Sequence, residues 1–130
     1  MRDWLLDSVA LIDWFCGRSG VAPFFEEILD GTSRGAFSTI SELELWQGLR
    51  PGEEADHEAM LSLLERVPLD RAIARRAGEL RRQSGLQLLS LPAAAVAASA
   101  ELTRRTLLSR NTRDFDRLRA TLSIELYDKD

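Results

Sequence analysis

Short apolar segments alternate with amphipathic helical segments along the whole chain, and this alternation restricts the possible folds more than any other feature. Segments rich in apolar, β-branched and aromatic residues predict strands at 4–7, 36–40, 67–69, 106–109 and 122–127. The intervening segments predict helices that begin at polar capping residues and end near glycines. Strands that alternate with helices favour an α/β fold with a mostly parallel sheet and helices on both faces.

The composition is that of one globular domain and excludes several functional classes. The 130 residues are 45% hydrophobic and 29% charged, which is ordinary for a single compact domain. No apolar run is long enough to span a bilayer, and the first residues lack the pattern of a signal peptide, so we expect a cytoplasmic protein. The net charge of −4 argues against nonspecific nucleic-acid binding by the whole surface.

Cys16 and His57 are each the only residue of their type in the chain. An internal disulfide, a cysteine-rich zinc site and a histidine-rich metal site are therefore excluded. We expect Cys16 to be a small buried apolar residue. His57 lies in an acidic stretch, and we expect it to be exposed.

Polar side chains follow the three main predicted strands. Asp7 ends the first strand, Glu44 lies in the predicted first turn of the helix after the second, and Asn111 and Asp114 follow the third. Parallel strands place these ends on one edge, where ligands usually bind. Carboxylates gathered there predict a hard cation, Mg²⁺ or Mn²⁺, acting on a phosphodiester. Glu42 points roughly opposite to Glu44 on a helix, so only one of them can face the site. Gly48, one turn after Glu44, leaves room beside it, and Glu44 is therefore the preferred ligand.

The same residues are also candidates for helix caps. Asp7 can cap the first helix, Ser41 and Glu44 have the spacing of a capping box, and Asn111 can cap a helix with Asp114 in its first turn. An unrelated α/β domain with capped helices therefore stays an alternative. Lost caps destabilise a protein, whereas removing one of several crowded carboxylates relieves repulsion.

Three segments, "WLLDSVALIDWF", "STISELELWQGL" and "LLSRNTRDFDRL", resemble in order and spacing the motifs of PIN domains, in particular the VapC-type toxins of bacterial toxin–antitoxin pairs. The similarity extends from near residue 3 to near residue 127. It implies a three-layer α/β/α sandwich with a mostly parallel central sheet, a homodimer, and a metal-dependent ribonuclease that is inhibited by a VapB-like antitoxin.

The resemblance also assigns roles to individual residues. It implies that Asp7, Glu44 and Asp114 are the ligands of Mg²⁺ or Mn²⁺. Asn111, at the start of the Asn-x-x-Asp-Phe motif, is the fourth catalytic residue that it implies. These are the positions that the strand ends indicate independently.

Two positions depart from the family pattern. The first aspartate is followed by Ser8 and Val9, where the family usually has threonine and then serine or asparagine. The segment "LPAAAVAASA" places Ala93 where the family has a metal-site aspartate. Since Mg²⁺ in proteins is often held by only one or two carboxylates plus water, the loss of one predicts weaker binding or lost catalysis.

Two functional hypotheses follow from this resemblance. The first is a ribonuclease impaired by Ala93, with Arg110 and Arg113 binding substrate phosphates through their guanidinium groups. The second is a catalytically inactive PIN-fold protein that still binds an antitoxin-like partner.

Overall fold

The computed structural model describes residues 1–128 and contains a five-stranded parallel sheet with strand order β3-β2-β1-β4-β5. The strands are β1 (Arg2–Leu6), β2 (Ser33–Ser38), β3 (Glu65–Val67), β4 (Thr106–Ser109) and β5 (Ile124–Leu126). The helices are α1 (Ser8–Phe15), α2 (Ala22–Asp30), α3 (Thr39–Gln47), α4 (Glu54–Leu61), α5 (Arg71–Ser84), α6 (Leu91–Leu102) and α7 (Thr112–Phe115), followed by a 3₁₀ turn (Asp116–Leu118). No helix within these residues is both long and apolar enough to cross a membrane.

The central strand β1 is apolar on both faces because helices cover both sides of the sheet. Leu5 is aligned with Ala36 of β2 and Leu107 of β4, and these three residues belong to the core beneath α5, α6 and α7. Trp4 and Leu6 point to the opposite core, which is formed with α1, α2 and α4. The expected three-layer α/β/α architecture with a parallel sheet is confirmed.

The alanine-rich helix α6 is buried along most of its length. Every residue from Ala93 to Ala100 is buried, and the helix contacts the sheet, α3, α5 and α7. Small side chains allow the close approach that several neighbours require, since a packed interior has no space for larger ones. The composition of α6 therefore has a packing explanation that is independent of the function.

The second strand and its helix are displaced from their predicted positions. The strand predicted at 36–40 occupies Ser33–Ser38, and α3 begins at Thr39 because the Ser38 hydroxyl accepts a hydrogen bond from the Ile40 N–H at 3.2 Å. Strand propensity at Thr39 and Ile40 is thus overridden by a helix cap. Glu44 consequently lies in the second turn of α3, and the predicted first-turn position and Ser41 capping box are wrong.

The sequence "HEAMLSLLERV" predicts a helix at 57–67, but the helix in this region is shorter and begins earlier. It begins at Glu54 and ends at Leu61, and Glu65–Val67 forms β3, which satisfies the backbone groups of β2 along that edge. The predicted strand at 67–69 stops at Val67, because Pro68 has no N–H to donate.

The expected burial of two residues is reversed. Cys16 follows the last turn of α1 and is exposed. His57 is fully buried because it shares the inner face of α4 with Met60 and Leu61, three and four residues further along the helix.

Candidate active site

The predicted site residues meet in a cleft of about 330 Å³ at the edge where the parallel strands end. The carboxylates of Asp7, Glu44 and Asp114 line this cleft together with Asn111 and Ala93. Three strands (β1, β2 and β4) and four helices (α1, α3, α6 and α7) position these residues. Asp7 and Asn111 are also the N-cap residues of α1 and α7, as the capping alternative predicts. The same two residues therefore cap helices and line the cleft.

Asp7 is the most constrained of the carboxylates. It is 3% exposed and is the N-cap of α1, where its Oδ1 accepts a hydrogen bond from the Ala10 N–H at 2.8 Å. Its Oδ2 accepts one from the Ser109 hydroxyl at 2.5 Å. Burial raises the pKa of Asp7 to about 6 although both hydrogen bonds lower it. A cation in the cleft would favour the ionised form of this carboxyl group.

Glu44 reaches the cleft from α3 and is held by the residue after Asp7. The Ser8 hydroxyl donates to Glu44 Oε1 at 2.5 Å and lies 2.9 Å from the Ser41 hydroxyl. Ser8 therefore keeps a hydroxyl beside the carboxylates. Val9 also lines the cleft, so the departure there replaces a polar lining group with an apolar one.

Asn111 and Asp114 form the third part of the site. Asn111 Oδ1 accepts from the Asp114 N–H at 3.2 Å, as expected of an N-cap, and Asn111 Nδ2 donates to Asp114 Oδ2 at 2.8 Å. The amide thereby fixes the orientation of the Asp114 carboxylate. Asp114 Oδ1 has no hydrogen bond from the described side chains that would compete with a ligand.

Ser109 is a site residue that the sequence analysis missed. It is fully buried at the end of β4, accepts a hydrogen bond from the Asn111 N–H at 2.9 Å and donates to Asp7. The hydroxyl therefore connects two parts of the site. Its place at the end of β4, two residues before the Asn-x-x-Asp-Phe motif, was the signal that could have identified it.

Ala93 lies in the first turn of α6, which is capped by the Ser90 hydroxyl 3.2 Å from the Ala93 nitrogen. It is 7% exposed and presents no polar side-chain atom to the cleft. A carboxylate at this position would be close to a helix N-terminus, where negative charge is favoured.

Neither of the two predicted phosphate-binding arginines lines the cleft. Arg110 donates to both oxygens of Asp13 at 2.6 and 3.2 Å, and Arg113 is exposed on α7. Phosphate binding by these arginines stays a prediction. For Arg110 it would require exchange of an ion pair that is already formed.

Asp13 is the centre of a second polar cluster beneath α1. It is fully buried and, besides the Arg110 pair, accepts from the Tyr127 hydroxyl at 2.7 Å. Burial raises the pKa of Asp13, but the hydrogen bonds from Arg110 and Tyr127 outweigh it and hold the pKa below its usual range. The cluster ties α1 to the ends of β4 and β5.

Replacing Tyr127 with phenylalanine is expected to lower the free energy of unfolding at pH 7 by about 1.5–3 kcal/mol, because a hydrogen bond to a charged group is lost. The pKa of Asp13 is lowered in the folded state, so its stabilisation is present above the usual value of 3.8 and disappears as the pH falls through the folded pKa. Urea denaturation at pH 7 and pH 3 should therefore show a difference between wild type and variant that shrinks in acid. An equal difference at both pH values would mean that Asp13 is not the partner.

The cleft has the chemistry of a hard-cation site. Its polar side chains offer oxygen ligands, and Mg²⁺ needs only one or two carboxylates because it retains several waters. Within residues 1–128, the carboxylates whose oxygens lie within 4.8 Å of one another and of a histidine are Glu42 and Glu58, outside the cleft. Asp7, Glu44 and Asp114 do not form such a compact group, so a cation in the cleft would be coordinated partly by water.

Comparison with known proteins agrees with this geometry. The PIN domain family model matches residues 4–120. A chain of a toxin–antitoxin complex from Klebsiella pneumoniae is 32% identical with a TM-score of 0.74, covering 85% of this chain and 88% of that one. A chain of DNA-bound VapBC from Salmonella typhimurium has a TM-score of 0.80 at 22% identity, covering 96% and 98%.

A chain of VapBC2 from Rickettsia felis, bound to a promoter DNA fragment, has a TM-score of 0.79 at 20% identity and covers 97% of this chain and 99% of that one. No curated protein matches the sequence. The family model spans most of the chain and includes every residue of the cleft. The chain therefore belongs to the PIN domain family.

Proposed function

We propose that this PIN domain is the toxin of a toxin–antitoxin pair and a ribonuclease that depends on Mg²⁺ or Mn²⁺. The observation that carries the proposal is the convergence of Asp7, Glu44, Asn111 and Asp114 in one cleft of a PIN fold. The toxin–antitoxin complexes among the similar structures support the biological setting. We place the activity in the cytoplasm, where RNA is available.

Asp7, Glu44 and Asp114 would hold the cation, which supplies charge neutralisation at the phosphodiester and an activated water. The neighbouring residues fix these carboxylates in advance. Ser109 orients Asp7, Ser8 orients Glu44 and Asn111 orients Asp114. Such outer hydrogen bonds hold ligands in the geometry that a cation requires.

Ala93 modifies this function because the cleft has one carboxylate fewer than the family pattern implies. We expect weak cation binding and RNA cleavage that needs a high concentration of Mn²⁺. The test is cleavage of a mixed-sequence RNA by the purified chain across a Mn²⁺ titration, with a chelator as the blank. Cleavage that persists in the chelator would contradict the proposal.

The second candidate is an antitoxin-binding protein without catalysis, and Ala93 is the observation that favours it. Absence of cleavage at every Mn²⁺ concentration, together with a stable complex with the product of a neighbouring small gene, would select this candidate. Binding of that product alone does not separate the two candidates.

A groove beside the active-site cleft supports an antitoxin partner in both cases. Its volume is about 320 Å³, and its walls include Ile12, Phe15 and Leu45. Glu44 lines both the groove and the cleft. An amphipathic partner helix could therefore place apolar side chains in the groove and a basic side chain near Glu44.

Replacing Ile12 with aspartate is expected to weaken the antitoxin complex by about tenfold or more, because it puts a charge in an apolar groove. Ile12 is 44% exposed, so the fold should be retained. The matched control is Leu29→Asp, since Leu29 is 53% exposed on α2 and lies outside the groove. Equal weakening by both variants, measured by calorimetry, would argue against the groove as the binding surface.

A homodimer is also part of the proposal. Three leucines are exposed in this region: Leu86 and Leu88 in the connection from α5 to α6, and Leu91 at the start of α6, at 58%, 56% and 67%. Light scattering of the purified chain tests this point, and a monomer at all concentrations would contradict it.

A further inference from the structure

His57 is a buried polar side chain whose two ring nitrogens have no hydrogen-bond partner. It lies on the inner face of α4, with the Trp46 ring edge-on at a centroid distance of 5.5 Å. Leaving buried polar atoms unpaired costs free energy, so such a group requires an explanation. An unpaired imidazole nitrogen is also a good metal ligand.

Two carboxylates approach this imidazole. Glu42 lies on α3 and Glu58 on α4, and one ligand atom of each lies within 4.8 Å of the other and of a His57 nitrogen. One nitrogen and two oxygens form a ligand set that differs from the all-oxygen set of the active-site cleft. Imidazole with carboxylates suits Zn²⁺ better than Mg²⁺.

We propose that Glu42, His57 and Glu58 form a Zn²⁺ site that is separate from the active-site cleft. Bonds of about 2.0–2.2 Å in tetrahedral geometry place ligand atoms roughly 3.4 Å apart. The two glutamates are at least partly exposed, so their side chains can move to close the remaining distance. Three protein ligands leave the fourth position to water.

Arg66 must be included in the charge balance of this site. Its guanidinium donates to both oxygens of Glu42, at 2.9 and 3.1 Å. Each carboxylate oxygen keeps a free lone pair, and ligating carboxylates commonly have such outer hydrogen bonds. Two carboxylates and one guanidinium leave a net negative charge, which favours a divalent cation.

The position of the site gives it a structural role. The site joins α3 to α4, and His57 also lines the apolar groove beside the cleft. Bound Zn²⁺ would fix the two helices relative to each other next to that groove. Since a ligand of the folded state stabilises it, Zn²⁺ should also raise the melting temperature.

The test uses the fact that His57 is the only histidine in the chain. The imidazole nitrogens of ¹⁵N-histidine-labelled protein are observed by NMR while Zn²⁺ is added in the presence of excess Mg²⁺. We expect a saturable chemical-shift change at one ring nitrogen, with no comparable change caused by Mg²⁺. His57 signals that stay unchanged in excess Zn²⁺ would overturn the proposal.

Two variants of α4 test whether Glu58 binds the metal directly or only attracts cations through its charge. Glu58→Gln is expected to weaken Zn²⁺ binding, followed at His57, by about tenfold or more. Asp56→Asn removes the same charge from an exposed position outside the three-residue group and should change binding by less than about threefold. Equal effects of the two substitutions would overturn the assignment. Both positions are exposed, so both variants should fold.

Discussion

Replacing Ala93 with aspartate is expected to tighten Mn²⁺ binding by about 10–100-fold and to increase RNA cleavage by a similar factor. Mutating residues that hydrogen-bond to metal ligands typically changes metal affinity or activity by about 10–100-fold. Adding a direct ligand should change metal affinity by at least about tenfold. The variant puts a carboxylate into the cleft beside Asp7, Glu44 and Asp114. Isothermal titration with Mn²⁺ and an RNA cleavage assay at fixed Mn²⁺ measure the two effects.

The matched control is Ala93→Asn, which adds the same volume without charge. It separates the electrostatic contribution from the steric effect of filling the cleft. We expect the asparagine variant to stay within a few-fold of wild type in both assays. Equal gains by the two variants, or no gain by either, would contradict the role assigned to position 93.

Replacing Asp7 with asparagine is expected to stabilise the metal-free protein at pH 7 by about 2 kcal/mol, although it removes a metal ligand. The rise of the Asp7 pKa from 3.8 to about 6 corresponds to roughly 3 kcal/mol of destabilisation by the ionised form. A weaker hydrogen bond with Ser109 should offset about 1 kcal/mol of the gain. Denaturation in the presence of a chelator measures the difference.

The pH dependence of this gain has a definite sign. Because the folded-state pKa is raised, the folded protein holds a proton that the unfolded chain has lost between about pH 4 and pH 6. The stability of the wild type therefore falls as the pH rises from about 4 to about 6. The stability difference in favour of Asp7→Asn appears over the same rise in pH.

Asp70→Asn is the control for helix capping. Asp70 also caps a helix, accepting from the Ile73 N–H at 2.9 Å, but it is exposed. Asparagine caps about as well as aspartate, so this variant should be nearly neutral. A loss of stability in Asp7→Asn similar to that of a lost cap would show that burial of the charge has little effect.

The parts of the structure that follow from periodicity and chain direction could be predicted from the sequence. Alternating strands and helices required the parallel sheet, and the sheet brought Asp7, Glu44, Asn111 and Asp114 to one edge. Glu44 lines the cleft, whereas Glu42 pairs with Arg66, and the role of Glu44 as a metal ligand stays a prediction. The preference for Glu44 over Glu42 rested on the helical angle between them, on the space that Gly48 leaves and on the resemblance to PIN domains.

The remaining features depend on tertiary contacts that no local pattern encodes. The boundary at Ser38 is set by one hydroxyl, and β3 forms because β2 offers it an edge. His57 is buried on the inner face of α4, which begins at Glu54, three residues before the predicted start of this helix. The ion pair of Arg110 with Asp13 joins residues far apart in the chain. The sequence therefore could not predict that Arg110 is already paired with a carboxylate.

The effect of Mn²⁺ on the melting temperature of wild type and Asp7→Asn tests most directly whether the cleft binds the catalytic cation. Binding to the folded state raises the melting temperature in proportion to the binding free energy. We predict that Mn²⁺ raises the melting temperature of wild type and leaves that of Asp7→Asn unchanged, although the variant is the more stable protein without metal. An equal Mn²⁺-dependent increase in both proteins would contradict the assignment of the cleft as the metal site.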